Sequence, residues 1–223
     1  MITRDNPGLI AVIKNRLYTA VVSDVLDELG FRDQAMPATI RPLDDACVLA
    51  GFARTGLYRE VYHIAPDENP YELEIALIDD LRPNDIVVLG CGGSKRIAPW
   101  GELLTTASRA RGAGGCVTDG LVRDIRRIRT LGFPVFHGGI APLDSKGRGK
   151  VAEIDVPIAC AGVLVHPGDL MIGDADGVLA VPQAVEAQVV ERALAKVAGE
   201  TRTREELEGG SKLAEVFAKY RIL

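Results

Sequence analysis

The sequence predicts a mixed α/β fold in which stacked sheets pack with helices, flanked by helical arms at both ends. Three observations carry that reading. Short apolar runs that fit strands crowd the middle of the chain, with only short helical stretches between them. Longer helical periodicity is confined to the two ends, over residues 9–29 and 183–198. The 223 residues, 47% of them hydrophobic, suffice for one sizeable core. A single domain spanning 1–223 is therefore expected, with arms at roughly 1–30 and 183–223. A regular doubly wound sheet fits less well, because the helices between the strands are short.

Within 9–29 apolar residues recur at spacings of three and four. Ser23 is the expected cap of a second helix carrying Val25, Leu26 and Leu29, which Gly30 closes. Residues 40–42 and 47–53 read as strands, 58–69 as a polar irregular segment, and 72–78 as a short amphipathic helix. The turn at Pro83-Asn84 opens a strong apolar strand over 85–89. Gly90, Gly92, Gly93 and Pro99 then punctuate a loop before helix formers at 102–111. Small residues lead into a strand at 116–118. A basic helical turn at 125–130, a strand at 133–136 and a polar loop at 142–149 follow. Strands are expected at 150–156 and 163–165. The turn Pro167-Gly168-Asp169 precedes a hairpin, 170–173 with 178–181, closed by Asp174-Ala175-Asp176-Gly177. The tail from 199 is charged, then helical over 213–220.

Composition removes several classes of function. The formal charge is −5 and the pI about 5.3, so no basic footprint for nucleic acid is present. No run of eighteen apolar residues exists, so no membrane span is expected. Residues 1–8 lack the basic-then-apolar layout of a signal peptide. Cys47, Cys91, Cys116 and Cys160 form no Cys-x-x-Cys pair and sit in mostly apolar settings, as reduced buried thiols do. These features together predict a cytoplasmic protein.

The stretch from Trp100 to Asp124 holds the groups that can do chemistry. A helix that starts near Gly101 leaves its first amides unpaired at the positive end of its dipole, a seat for a carboxylate or phosphate. Arg123 and Asp124 follow a strand, where a loop can aim both into one cleft. The guanidinium can hold an anionic oxygen, and the carboxylate can hold a hard divalent cation. Together they suit a keto-acid substrate. Duller readings compete. Adjacent Arg123 and Asp124 can simply be a surface ion pair. The run 90–94 resembles a phosphate loop but lacks the Gly-Lys-Ser/Thr ending, which favours a plain turn. Asp174 and Asp176 lack the bidentate glutamate of a calcium loop, which favours a hairpin turn. His63, His137 and His166 are too scattered for a metal pair.

These residues carry a resemblance. Trp100-Gly101-Glu102-Leu103-Leu104, Ala110-Arg111-Gly112, Asp119-Gly120-Leu121-Val122-Arg123-Asp124, Gly132-Phe133-Pro134-Val135-Phe136, Pro167-Gly168-Asp169 and Gly173-Asp174-Ala175-Asp176-Gly177-Val178 resemble the RraA-like family. That family includes metal-dependent (class II) aldolases of 4-hydroxy-4-methyl-2-oxoglutarate and 4-carboxy-4-hydroxy-2-oxoadipate, which also decarboxylate oxaloacetate. The resemblance implies a β/β/α swivelling-domain fold, assembled as a homotrimer or homohexamer with sites between subunits. It implies a divalent cofactor, Mg²⁺ or Mn²⁺, held by Asp124 largely through waters, with Glu102 near those waters. It implies that the amides of Gly101, Glu102, Leu103 and Leu104 hold the pyruvyl carboxylate, and that Arg123 holds the keto oxygen and the enolate. A glutamate of a neighbouring subunit's C-terminal arm completes the shell in that family. Glu200 matches best, and Glu205 is the alternative. Asp119 is expected to orient the loop.

The chemistry agrees with this implied function, cleavage of a 4-hydroxy-2-oxo diacid to pyruvate and a second keto acid. Breaking a carbon–carbon bond beside an α-keto acid leaves an enolate, whose charge a divalent ion and Arg123 can both stabilise. No Schiff-base lysine is required, and Lys95 and Lys146 lie in loops. Two other readings stand beside this one. The first is a non-catalytic regulator of ribonuclease E, against which the extra N- and C-terminal arms weigh. The second is a different keto-acid or sugar-acid lyase on the same scaffold. Trp100 beside the anion seat and the segment 58–71 are the departures that could reshape the pocket.

Overall fold

The computed structural model describes residues 8–221. Residues 1–7, on which the expected absence of a signal peptide rests, lie outside it, as do 222 and 223. The architecture is mixed α/β. Its main sheet is organised around β3 (Asp85–Gly90), every residue of which is buried. The apolar run Ile86-Val87-Val88-Leu89 suits that place because a strand covered on both faces needs no polar side.

Around β3 the sheet order is β1 (Arg41–Pro42), β5 (Val135–His137), β4 (Gly115–Thr118), β3, β2 (Leu49–Glu60), β9 (Leu170–Asp174) and β10 (Gly177–Val181). Strands β2, β3, β4 and β5 run parallel to one another, while β1 on β5 and β9 with β10 beyond β2 pair antiparallel. Helices α3 (Glu72–Asp79), α4 (Glu102–Ala110) and α5 (Ile125–Leu131) make the crossovers between the parallel strands. Strand β2 is longer than expected, running through Glu60, because it finds partners along its whole length. It pairs with β9 over 49–52 and with β3 over 52–57, and from Gly56 to Glu60, across a register shift between Leu57 and Tyr58, it pairs with β6 (Gly149–Ile154). The irregular segment predicted at 58–69 therefore begins later than expected.

The two faces of this sheet are covered differently. Val87, Leu89, Cys116 and Val135 pack against α3, α4 and α5. On the same face Ala50, Leu170, Ile172 and Val181 pack against α1 (Leu9–Arg16), α2 (Thr19–Glu28) and α6 (Glu186–Glu208). On the opposite face Ile86, Val88, Val117 and Phe136 meet a second, two-stranded sheet, β7 (Ile158–Cys160) with β8 (Val163–Val165). The layers are thus sheet, sheet and helices. A doubly wound fold would carry helices on both faces.

Three local expectations need correction. Ser23 lies inside α2, which begins at Thr19 after the extended Tyr18. The Asp174 carboxylate supplies the cap from the far hairpin, accepting the Thr19 amide at 2.8 Å and the Thr19 hydroxyl at 2.7 Å. Strand β7 was not expected, since Ile158-Ala159-Cys160 carries a single β-branched residue. The helix at the carboxyl end continues past Gly199 to Glu208 before α7 (Leu213–Tyr220). One interior glycine weakens a helix by only about 1 kcal/mol, and a long helix packed on α2 absorbs that. No described helix is long and apolar enough to cross a membrane. Cys91, Cys116 and Cys160 are buried free thiols, and Cys47 is half-buried.

Candidate active site

The amino end of α4 meets the segment that follows β4. Ile97 accepts the Leu121 amide at 3.0 Å, and Trp100 accepts the Arg123 amide at 3.0 Å. These bonds lay the two segments side by side, so that Arg123 and Asp124 stand over the first turn of α4. Asp124 adopts a left-handed backbone (φ 59°, ψ 28°), which aspartate tolerates better than most residues. That kink starts α5 and turns the carboxylate back toward α4. There Asp124 Oδ2 accepts the Glu102 amide at 3.2 Å.

The approach at Gly101 is close. A Cβ there would meet Asp124 Oδ2 at 2.8 Å and both Cγ and Nε of Arg123 at 3.2 Å. Both side chains are partly exposed and can swing aside, so Gly101→Ala is expected to push Arg123 and Asp124 off the helix end at a stability cost of about 1 kcal/mol or less. A denaturant melt reads this directly, and a large drop in midpoint would show that the segment cannot yield.

Arg123 is held from two sides. Its Nε lies 3.8 Å from Asp124 Oδ2, and its Nη1 lies 3.4 Å from Asp144 Oδ2 and donates to the Leu143 carbonyl at 3.4 Å. Its side chain is 37% exposed and that of Asp124 47%. Such pairs contribute little to stability. What separates them from a plain surface pair is the concavity between them. A pocket of about 310 Å³ is lined by Gly101, Arg123 and Asp124 on one side and by Tyr71, Glu74 and Asp144 on the other. Glu102, Leu103 and Leu104 line the same pocket. A wider cleft of about 780 Å³ shares Glu102, Leu103, Arg123 and Asp124 and opens toward Arg126 and Arg127.

The structure thus brings Gly101, Glu102, Leu103, Leu104, Arg123 and Asp124 together. Glu200 and Glu205, on α6, line neither pocket of their own chain. Glu200 instead accepts a hydrogen bond from the Tyr18 hydroxyl. Among the described residues no three His, Cys, Asp or Glu side chains cluster to hold a metal ion. Asp124 supplies hard oxygen donors to the pocket lining, and the Glu102 carboxylate accepts the Thr106 hydroxyl at 2.9 Å one turn along α4; that donor set fits a hydrated divalent ion bound through one or two carboxylates.

Asp119 anchors the turn beyond β3 and the turn between β7 and β8. Its Oδ1 accepts the Cys91 amide at 2.5 Å, and its Oδ2 accepts the amides of Gly93 and Ala161 at 3.0 and 3.1 Å. The run 90–94 is accordingly a turn tied to an aspartate, with the amides of Cys91, Gly93 and Ser94 already used. Trp100 does not plug the pocket. Its ring is fully buried, stacks on Phe133 at 6.2 Å, and donates from Nε1 to Thr105 Oγ1 at 2.9 Å.

Sequence reasoning missed the far wall. The Tyr71 hydroxyl bonds both oxygens of Asp144 at 3.1 Å, and burial followed by that carboxylate raises its pKa to about 12. Burial acts to raise the Asp144 pKa, yet the Lys146 amide, the Tyr71 hydroxyl and Arg123 together leave it lowered. Glu74 is 6% exposed. Burial raises its pKa to about 7; Asp144 adds to that, while Tyr58 and Arg123 oppose it. The amphipathic pattern at 72–78 marks a helix, but it does not say that the acid on its inner side faces Arg123.

The segments that build this pocket lie within the stretch that matches a known family. The model of RraA-like proteins, described as Aldolase/RraA, matches residues 19–180. The chain belongs to the RraA-like family. A Halalkalibacterium halodurans protein named provisionally as a 4-hydroxy-4-methyl-2-oxoglutarate aldolase is 35% identical over 180 residues, covering 81% of this chain and 80% of that one. An uncharacterized protein from Pseudomonas syringae superposes with a TM-score of 0.83 at 30% identity, over 96% of this chain and 99% of that one. Streptomyces coelicolor RraAS2, described as an unusual member of the RNase ES inhibitor RraA protein family, superposes at 0.79 with 28% identity, over 92% and 99% of the two chains. The sheet, sheet and helix layering of this chain is the RraA-like fold.

Proposed function

We propose that this RraA-like chain is a divalent-metal-dependent lyase that cleaves a 4-hydroxy-2-oxo diacid to pyruvate and a second keto acid, and that also decarboxylates oxaloacetate. One observation carries the reading: the amino end of α4, the Arg123 guanidinium and the Asp124 carboxylate converge on one pocket. The aldolase name of the Halalkalibacterium halodurans relative supports it.

The residues divide the work. Amides at the start of α4 bind the carboxylate of the pyruvyl group. Arg123 places fixed donors where the enolate oxygen gains charge. Asp124, with Glu102 beside it, would hold Mg²⁺ or Mn²⁺ through oxygen and water, and a glutamate such as Glu200 of a neighbouring subunit in a trimer or hexamer would complete that shell. The ion when bound supplies Lewis-acid stabilisation of the same developing charge.

Pyruvate release from 4-hydroxy-4-methyl-2-oxoglutarate and from oxaloacetate is the direct test. Turnover at millimolar Mg²⁺, its loss in excess EDTA and its return on adding metal are expected. Absence of turnover on both substrates with metal present would overturn the assignment. The likeness to Streptomyces coelicolor RraAS2 supports a second reading, a regulator of ribonuclease E. Stable capture of purified ribonuclease E by the full chain, with no turnover, would decide for it.

A further inference from the structure

The pocket wall opposite Arg123 contains an acid that the reading above does not use. Glu74 sits in the first turn of α3 with its side chain nearly sealed from solvent, yet it lines the same pocket as Arg123 and Asp124. No described cation forms a salt bridge with it within 4.0 Å. Carboxylates so buried are ordinarily paired. The Tyr58 hydroxyl, also buried, lies against Glu74 and Ser145 without reaching hydrogen-bond geometry with either. Glu74 and the unpartnered Tyr58 hydroxyl thus form a small buried polar patch beside the pocket.

Resting on the lyase reading, we propose that Glu74 is the group that takes the proton from the substrate's 4-hydroxyl and returns it to C3 of the pyruvate enolate. The Glu74 carboxylate removes the hydroxyl proton. The C3–C4 electron pair moves onto C3 as that bond breaks, C4 becomes the carbonyl of the second product, and Arg123 with the α4 amides holds the enolate of pyruvate. Protonated Glu74 then gives its proton to C3 and is a carboxylate again, so no oxidant or further reactant is needed. The groups that face it are Tyr71 ahead of its helix, Tyr58 on β2, Cys91 after β3, Arg123 after β4, and Asp144 with Ser145 before β6. With a pKa near 7 the acid can run in both directions at neutral pH.

The test compares two reactions of one pocket. Aldol cleavage requires a base for the 4-hydroxyl, whereas oxaloacetate loses CO₂ without prior proton removal. Glu74→Gln is expected to lower kcat for aldol cleavage at least a hundredfold, the lower end of general-base effects, and to change the first-turnover rate of CO₂ release, a step that precedes protonation of the enolate, less than about threefold. In the wild type, kcat/KM for cleavage should rise with pH through an apparent pKa near 7, and that limb should vanish in the variant. Equal losses in both reactions would mark a structural role and overturn the proposal, as would unchanged aldol cleavage. A wild type inert toward both substrates would defeat the lyase reading itself and the proton's destination with it. Infrared titration separates the two failures. A protonated-carboxyl band that titrates near neutral pH and is missing in Glu74→Gln leaves Glu74 a working acid in a pocket of other chemistry. Absence of the band in the wild type removes Glu74 from any proton transfer.

Discussion

Arg123→Ala is expected to lower pyruvate release by about a hundredfold to a thousandfold while leaving the fold intact. That range is what removal of one preorganised donor at a developing oxyanion does to kcat. The structure explains why so large a kinetic effect carries a small stability effect. Arg123 is over a third exposed, its contacts at 3.4 and 3.8 Å are long, and pairs of that kind contribute about 0–1 kcal/mol. The unfolding midpoint should therefore shift by only a few degrees, since about 1 kcal/mol moves a chain of this size by roughly 2–4 °C. Arg123→Lys should restore only part of the rate. An ammonium is a point charge, and it cannot bridge Asp124 and Asp144 while presenting a planar face to the substrate. Full activity in Arg123→Ala would remove the guanidinium from the chemistry and, with it, the reason for placing the reaction in this pocket. Loss of activity together with loss of cooperative unfolding would instead assign Arg123 to the fold.

The near wall of the pocket was legible in the sequence because it is local. Gly101-Glu102-Leu103-Leu104 announces a helix start, and Val122-Arg123-Asp124 follows a strand; each signal lies within a few residues. The layers were legible for a similar reason. The continuous apolar run of β3 calls for cover on both faces, and the short helices between strands leave one face to another sheet. What sequence could not show is whatever is supplied from afar. The caps of α2 and α4 are Asp174 and Asp124, acids 155 and 22 residues away, so neither helix carries its own capping side chain. Ser23 looked like a cap for lack of any local sign that Asp174 would do the work. The far wall follows the same rule. Tyr71, Glu74 and Asp144 come from two separate segments, and only the β2–β6 pairing across the Leu57/Tyr58 shift brings them opposite Arg123. Strand β7 was missed where the equally short β8 was not, because Ile158-Ala159-Cys160 carries one β-branched residue and Val163-Leu164-Val165 carries two.

The largest expected effect on stability belongs to Asp119, which touches no part of the pocket lining. Its two oxygens receive three backbone amides from three places: Cys91 at the end of β3, Gly93 in the turn beyond, and Ala161 between β7 and β8. One buried side chain, 5% exposed, therefore ties the main sheet to the small sheet stacked on it. A carboxylate suits this because it is acceptor-only, with a lone pair for every amide aimed at it. Asp119→Asn keeps the volume but puts a donor where Oδ1 or Oδ2 stood. Whichever way the amide turns, at least one backbone N–H meets another N–H. Hydrogen bonds to charged groups contribute about 1.5–3 kcal/mol each, and an unsatisfied buried donor costs about 1–3 kcal/mol. A loss of about 3 kcal/mol follows, seen as a midpoint roughly 6–12 °C lower in a thermal melt. The loss should fall hardest on the contact between β7–β8 and the main sheet, so hydrogen exchange at Ile158, Cys160 and Val163 should quicken before that at Val87 or Val117. Uniform quickening would mean that Asp119 stabilises the whole molecule rather than the seam between its sheets. An unchanged melt would mean that water satisfies these amides as well as the carboxylate does. The same side chain opens the loop that ends in Arg123 and Asp124. A seam that slips should therefore loosen the pocket as well, and residual activity in Asp119→Asn should fall more steeply with temperature than the melt alone accounts for.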